Sequence, residues 1–137
     1  MISDPLARAL RAAGLVWHPE SGDRFRIEAE LLTDVVFTLS DMTIEAHRYE
    51  SGTVLGFNGT TEWALDSVDL DDALWLPRED QLRHMLGSTF RSLSVDADGA
   101  YRVEVGRPDG TTAVHVAASV PDAYAGAVLE LIALAYA

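Results

Sequence analysis

The 137-residue chain contains no cysteine and no lysine. The first absence excludes disulfides, thiolate nucleophiles and zinc–thiolate centres. The second excludes a phosphate-binding loop, whose lysine reaches the nucleotide phosphates, and Schiff-base chemistry, which needs a lysine amine. Positive charge is scarce as well. Ten arginines stand against 22 acidic residues, for a net charge of −12 with neutral histidines. Nucleic-acid binders usually carry a basic surface, so this balance argues against that class. It also repels anionic membranes and leaves basic or apolar partners. Long apolar runs are missing too. Met1-Ile2-Ser3-Asp4-Pro5 has no basic segment leading into an apolar one, so it does not read as a signal peptide. The most apolar stretch, from Ala123 to Ala137, is interrupted by Glu130 and falls short of the about 20 residues a membrane helix needs. The lack of cysteine fits the cytoplasm.

What is present suits a folded domain. The hydrophobic fraction is 48%, ordinary for a globular chain, and no repeat or low-complexity linker interrupts it. The expectation is one domain over residues 1–137. Ser3-Asp4-Pro5 offers a cap and a first-turn proline, and Gly14 a stop, for a helix from Asp4 to Ala13. Phe25 to Glu28 alternates like a short strand. Val35-Val36-Phe37-Thr38-Leu39 reads as a strand buried on both faces. Thr43 to Tyr49 and Thr53 to Phe57 flank Glu50-Ser51-Gly52 as a hairpin, followed by a turn at Asn58-Gly59-Thr60-Thr61. The acidic segment from Asp66 to Asp72 predicts no regular element. Trp75-Leu76-Pro77 leads into a helix with Leu82, Met85 and Leu86 as its apolar stripe, ended by Gly87.

Three strands follow: Phe90 to Val95, Tyr101 to Val105 and Thr111 to Ala117. Turns at Asp96-Ala97-Asp98-Gly99 and Pro108-Asp109-Gly110 separate them. Tyr101, Val103 and Val105 point inward and Arg102 and Glu104 outward. Ser119-Val120-Pro121-Asp122 starts a last helix. Val128, Leu131, Ile132 and Ala135 line one face of it, and Tyr124, Leu129 and Tyr136 widen that face. So apolar a helix needs cover on most sides, from the sheet or, in a homodimer, from a second copy; the sheet is the favoured cover. The fold class expected is α+β, an antiparallel sheet of about six or seven strands with three helices. Its order is helix, three or four strands, helix, three strands, helix.

Motifs that carry chemistry are weak. Asp66, Asp69, Asp71 and Asp72 are the densest carboxylates, but their spacing matches no calcium loop. Asp96 and Asp98 echo such a loop, yet the position of its closing glutamate holds Val105. His18, His47, His84 and His115 show no one-turn pairing of a helical zinc site, and no serine sits in a G-x-S-x-G elbow. The glycine-rich stretch from Gly56 to Thr61 lacks the helix N-terminus or lysine that would make it an anion site. No catalytic residue, metal or cofactor follows. Trp17, Trp63 and Trp75 read first as core anchors. Trp63 and Trp75 bracket the acidic loop, so with Asp66, Asp69, Asp71 and Asp72 they are the candidate partner-binding residues.

Three strings resemble a known family: Ser40-Asp41-Met42-Thr43-Ile44-Glu45, Gly56-Phe57-Asn58-Gly59-Thr60-Thr61-Glu62-Trp63-Ala64-Leu65-Asp66-Ser67-Val68, and Trp75-Leu76-Pro77-Arg78-Glu79-Asp80-Gln81-Leu82. They are similar to short actinobacterial proteins labelled pilus assembly protein CpaE, over about residues 2 to 90. The ATPase of that name needs a phosphate-binding loop, which a lysine-free chain lacks, so the resemblance carries no ATPase activity and no site residues. The element order is also similar to the secretion-chaperone-like fold. That likeness implies a dimer that holds an extended segment of a partner along helix and sheet surfaces. The expectation is therefore a non-enzymatic, adaptor- or chaperone-like module that binds another protein, basic in character, and neither nucleic acid nor membrane. The alternative is a small-molecule-binding protein or hydrolase built around the 43–61 hairpin, where Glu45, His47 and Asn58 could meet.

Overall fold

The computed structural model describes residues 1–28, 34–39, 44–49, 52–57 and 67–136, with 44–49, 52–57 and 67–70 described as backbone. The chain forms two compact units, one from Met1–Val16 and Pro77–Ala137, the other Trp17–Leu76.

The first unit places three helices on one antiparallel meander. Helix α1 is Asp4–Ala12, with Pro5 in its first turn, and Gly14 follows at a positive φ of 105°. Such a φ is costly for any residue with a Cβ, so this glycine ends the helix. Helix α2 is Glu79–Leu86. The Gln81 side chain accepts the Arg78 backbone N–H at 2.9 Å, which satisfies a donor at the helix start. Gly87, φ 54°, ends it and opens a 3-10 turn over Gly87–Thr89. Strands β7 Phe90–Val95, β8 Tyr101–Gly106 and β9 Thr112–Ala117 follow, in spatial order β7-β8-β9; their numbers leave β1 to β6 for the second unit. The aspartates between them act as turn formers. Asp96 Oδ1 accepts the N–H groups of Asp98 and Ala100, and Asp109 Oδ1 accepts the N–H and hydroxyl of Thr111.

Helix α3, Val120–Ala135, starts with Pro121 in its first turn, and the Ser119 hydroxyl accepts the Asp122 N–H at 3.3 Å. Asp122 Oδ1 in turn accepts the Ser3 N–H at 2.7 Å, tying the start of α1 to that of α3. Helix α3 packs across β8 and β9, and α1 and α2 pack on α3. Val103 lies opposite Leu93 on β7 and His115 on β9, and directly opposed residues share a face. His115 meets Gly126 and Glu130 of α3, so this face is the one turned to the helices. Val103 and Val105 are buried on it, as are Ala123, Tyr124, Ala127 and Val128 of α3, which packs on β8. The inward positions expected for β8 hold. The apolar face expected of the last helix stops short: Ala135 is exposed and Tyr136, just past the helix, is 82% exposed.

The second unit contains β1 Arg24–Ile27, β2 Val36–Thr38, β3 Ile44–Tyr49, β4 Gly52–Phe57, β5 Ser67–Asp69 and β6 Ala73–Leu76. They form two antiparallel sheets, β2-β1-β6 and β3-β4-β5. Phe25 stands opposite both Phe37 and Trp75. These rings, with Trp17, build the core with Ile27, Leu39 and Ala73. Asp23 is buried there at 2% exposure and accepts the Trp17 indole N–H at 2.9 Å.

The α+β class and the three helices match expectation. The sheet does not: the described strands form three three-stranded sheets rather than one of six or seven. Two misread segments explain the difference. Trp75 and Leu76 belong to a strand and not to a helix lead-in, because they close the β2-β1-β6 sheet. The acidic segment, expected to be irregular, supplies β5 and a 3-10 turn over Leu70–Asp72. The run from Val35 to Leu39 is an edge strand in which Phe37 faces the core while Val35 and Val36 are exposed, so it is not buried on both faces. The 43–57 hairpin forms as β3 and β4; the expected turn at Asn58–Thr61 lies outside the described residues.

Candidate functional site

The first unit holds an open cleft of about 810 Å³ lined by Glu79, Asp80, Arg83, His84, Gly87, Leu93 and Tyr124. Helix α2 forms one wall, Tyr124 of α3 the floor and Leu93 of β7 the other wall. The cleft exists because α3 packs on β8 and β9 and reaches β7 at Phe90, leaving Leu93 and Val95 exposed beyond it. Leu93 and Val95 point to the helix-facing side, opposite Val103 and Tyr101, yet they are 39% and 61% exposed. Ser92 and Ser94 alternate with them and point the other way, as the period of a strand requires.

Charge in the cleft is ordered along α2. Glu79 and Asp80 lie in its first turn, Arg83 and His84 in its last. Each pair complements the helix dipole, which favours anions at the N-terminus and cations at the C-terminus. Arg78 Nε donates to Asp80 Oδ1 at 3.1 Å, and that hydrogen bond holds the Asp80 carboxyl below its usual pKa. The Arg83 guanidinium lies 4.3 Å from the centre of the Phe90 ring, a cation–π contact that fixes its position. Tyr124 leans on Phe90 with ring centres 5.9 Å apart. Burial pushes its phenol pKa up, against the pull of Arg83, so it stays a neutral hydroxyl at neutral pH.

Among the described residues no strand pairs with the other border of β7, the outer strand of its sheet. Natural edges are usually guarded by charge, proline or a bulge. Here the register shift lies between Phe90 and Ser92, at the start of the strand. The one charge on the strand, Arg91, is exposed but turned toward the end of β8. Its Nη1 donates to the Ser88 carbonyl, and its guanidinium covers Gly106, where an added Cβ would lie 2.6 Å from Nη2. From Ser92 to Val95 the edge carries no charge.

Of the histidines, His84 lines this cleft, and the described candidate partner-binding residues belong to the second unit. Trp75 is half-buried in the second unit, stacked on Trp17 with ring centres 6.3 Å apart, and its buried indole N–H finds no partner among the described residues. Asp71 and Asp72 are exposed on the 3-10 turn before β6. Asp69 stands in β5 opposite Val54. Trp63 and Asp66 lie outside the described residues. Of the alternative set, Glu45 and His47 stand in β3 opposite Gly56 and Val54, and Asn58 is outside the described residues. Among the described residues no group of three or more His, Asp or Glu could hold a metal ion, and no helix is long and apolar enough to cross a membrane.

Sequence reasoning missed the α2–β7 cleft. The alternation of Ser92 and Ser94 with Leu93 and Val95 does mark an apolar face, but only the packing of α3 reveals that the face is uncovered. The histidine and both carboxylates of the lining are exposed.

No family model, no curated protein and no solved structure matches this chain. The comparisons thus lend no support to the pilus-assembly label or to the secretion-chaperone likeness.

Proposed function

We propose that this protein is a non-enzymatic binding module, adaptor- or chaperone-like, that receives an extended segment of another polypeptide along the free edge of β7. One observation carries the reading: Leu93 lines an open cleft walled by a helix, and Val95 is exposed on the same side of an edge strand that carries no charge from Ser92 to Val95. An extended segment adds backbone hydrogen bonds along such an edge and places alternate side chains in the groove beside it. A small ligand would be left half in water in so open a cleft, whereas ligand sites usually bury most of their occupant. The net charge of −12, with Asp71 and Asp72 exposed, favours a basic partner and speeds its approach.

Selection from displayed random peptides of about 12 residues tests this. The expected winners are extended sequences that alternate apolar residues with arginine or lysine. Leu93→Arg should weaken their binding at least about tenfold, and Val114→Arg, opposite Glu104 on the other side of the sheet, should leave it unchanged. Binding that survives Leu93→Arg overturns the reading.

A further inference from the structure

We infer that in the free protein the edge of β7 pairs with β7 of a second copy, giving a two-fold dimer with a continuous six-stranded sheet. The inference rests on the reading of β7 as a pairing edge. Three observations select a copy of this chain as the occupant.

The first is charge. The groove presents Glu79 and Asp80 at one end of α2 and Arg83 and His84 at the other. A two-fold axis perpendicular to the sheet beside β7 reverses the run of α2 within the sheet plane, and in the proposed dimer this would turn the acidic end of each α2 toward the basic end of its partner. The groove is therefore complementary to itself, although the chain as a whole is strongly acidic and would repel a copy placed at random.

The second is the edge. Like strands related by a two-fold axis pair antiparallel, the same pattern β7 already makes with β8. Arg91, the charge that could block such pairing, is held back over Gly106 and on the Ser88 carbonyl. The third is the apolar face. Leu93 stands near the middle of β7, so the axis brings the two Leu93 side chains together on the helix-facing side, with Val95 beside the start of the partner strand. The cleft of each copy is then closed by the other. The opposite edge, β9, offers no such vacancy, because α3 covers its helix-facing side.

Sedimentation velocity of the full chain from about 1 to about 100 µM tests the dimer. The expected result is a two-copy mass. Leu93→Arg should raise the dissociation constant at least about tenfold, and Val114→Arg should not change it. Glu79→Arg and Arg83→Glu should each weaken the dimer, and the double variant, which inverts the pattern on both copies, should restore it. Because the chain is free of cysteine, a crosslink supplies a check that does not depend on the folding of Leu93→Arg: under a mild oxidant Leu93→Cys should form a covalent dimer faster than Val116→Cys, as directly opposed strand residues lie within disulfide reach. A wild-type monomer at the highest concentration, a dimer untouched by Leu93→Arg, or faster crosslinking at position 116 overturns the inference. A monomer that still binds the selected peptides overturns the dimer alone; a dimer that binds none supports the dimer and overturns the peptide reading.

Discussion

Replacing Glu130 with glutamine should loosen the helix that floors the cleft. Glu130 Oε1 accepts from Arg107 at 2.9 Å through Nε and 2.6 Å through Nη2, and Oε2 meets His115 Nε2 at 2.9 Å. One carboxylate thus ties α3 to β9 and to the turn before it. A hydrogen bond to a charged group contributes about 1.5–3 kcal/mol when buried. The Glu130 side chain is 21% exposed and that of Arg107 37%, so screening lowers the sum, and glutamine keeps one acceptor. The expected loss is about 1–2 kcal/mol, or about 3–8 °C in Tm for a chain of this size. The effect has a pH signature. The His115 hydrogen bond, then Arg107, holds the Glu130 pKa below its ordinary 4.5, against the opposing effect of burial. The unfolded chain therefore takes up this proton at a higher pH than the native one. The stabilisation is complete above about pH 4.5 and fades as the pH falls through the lower folded value. Thermal unfolding followed by circular dichroism, wild type against Glu130→Gln, reads it out. Equal Tm values at pH 7, or a wild-type advantage undiminished near pH 2, would refute the reasoning.

Other expectations are simpler. Asp23→Ala removes the acceptor of the Trp17 indole and of the Glu20 N–H at 3.0 Å, leaving a buried donor unsatisfied; a loss of about 2–4 kcal/mol in urea unfolding is expected, with a change in tryptophan emission. Ser119→Ala removes the cap of α3 and should cost about 1 kcal/mol in the same assay. Binding of a basic selected peptide should weaken as salt rises, mainly through its association rate; a rate indifferent to salt would remove the steering role of the acidic surface.

Local chemistry was the legible part of this fold. Pro5, Pro121, Gly14 and Gly87 mark helix ends because their backbone constraints act within one turn, and Asp96 and Asp109 mark hairpins because a carboxylate captures amides two to four residues on. Long-range pairing was not legible. β1 takes β6 as its partner, Phe25 opposite Trp75, and nothing near Trp75 distinguishes a closing strand from the lead-in to α2. The Val35-to-Leu39 run shows the same limit from the other direction: composition says β-branched and apolar, while burial depends on whether a neighbour flanks each side. The described residues of the acidic and aromatic set, Asp69, Asp71, Asp72 and Trp75, belong to the second unit. Leu93, which lines the cleft of the first unit, carries no local mark: its alternation with Ser92 and Ser94 shows an apolar face but not whether anything covers it.

Amide hydrogen exchange of the full chain, with and without a selected peptide, bears most directly on the claim that β7 receives another polypeptide. At a dilution where the chain is monomeric, the account predicts that the outward-facing amides between Ser92 and Val95 gain protection on binding while those of β9 do not change. Protection confined to β9 or to the second unit, with β7 unaltered, would contradict it.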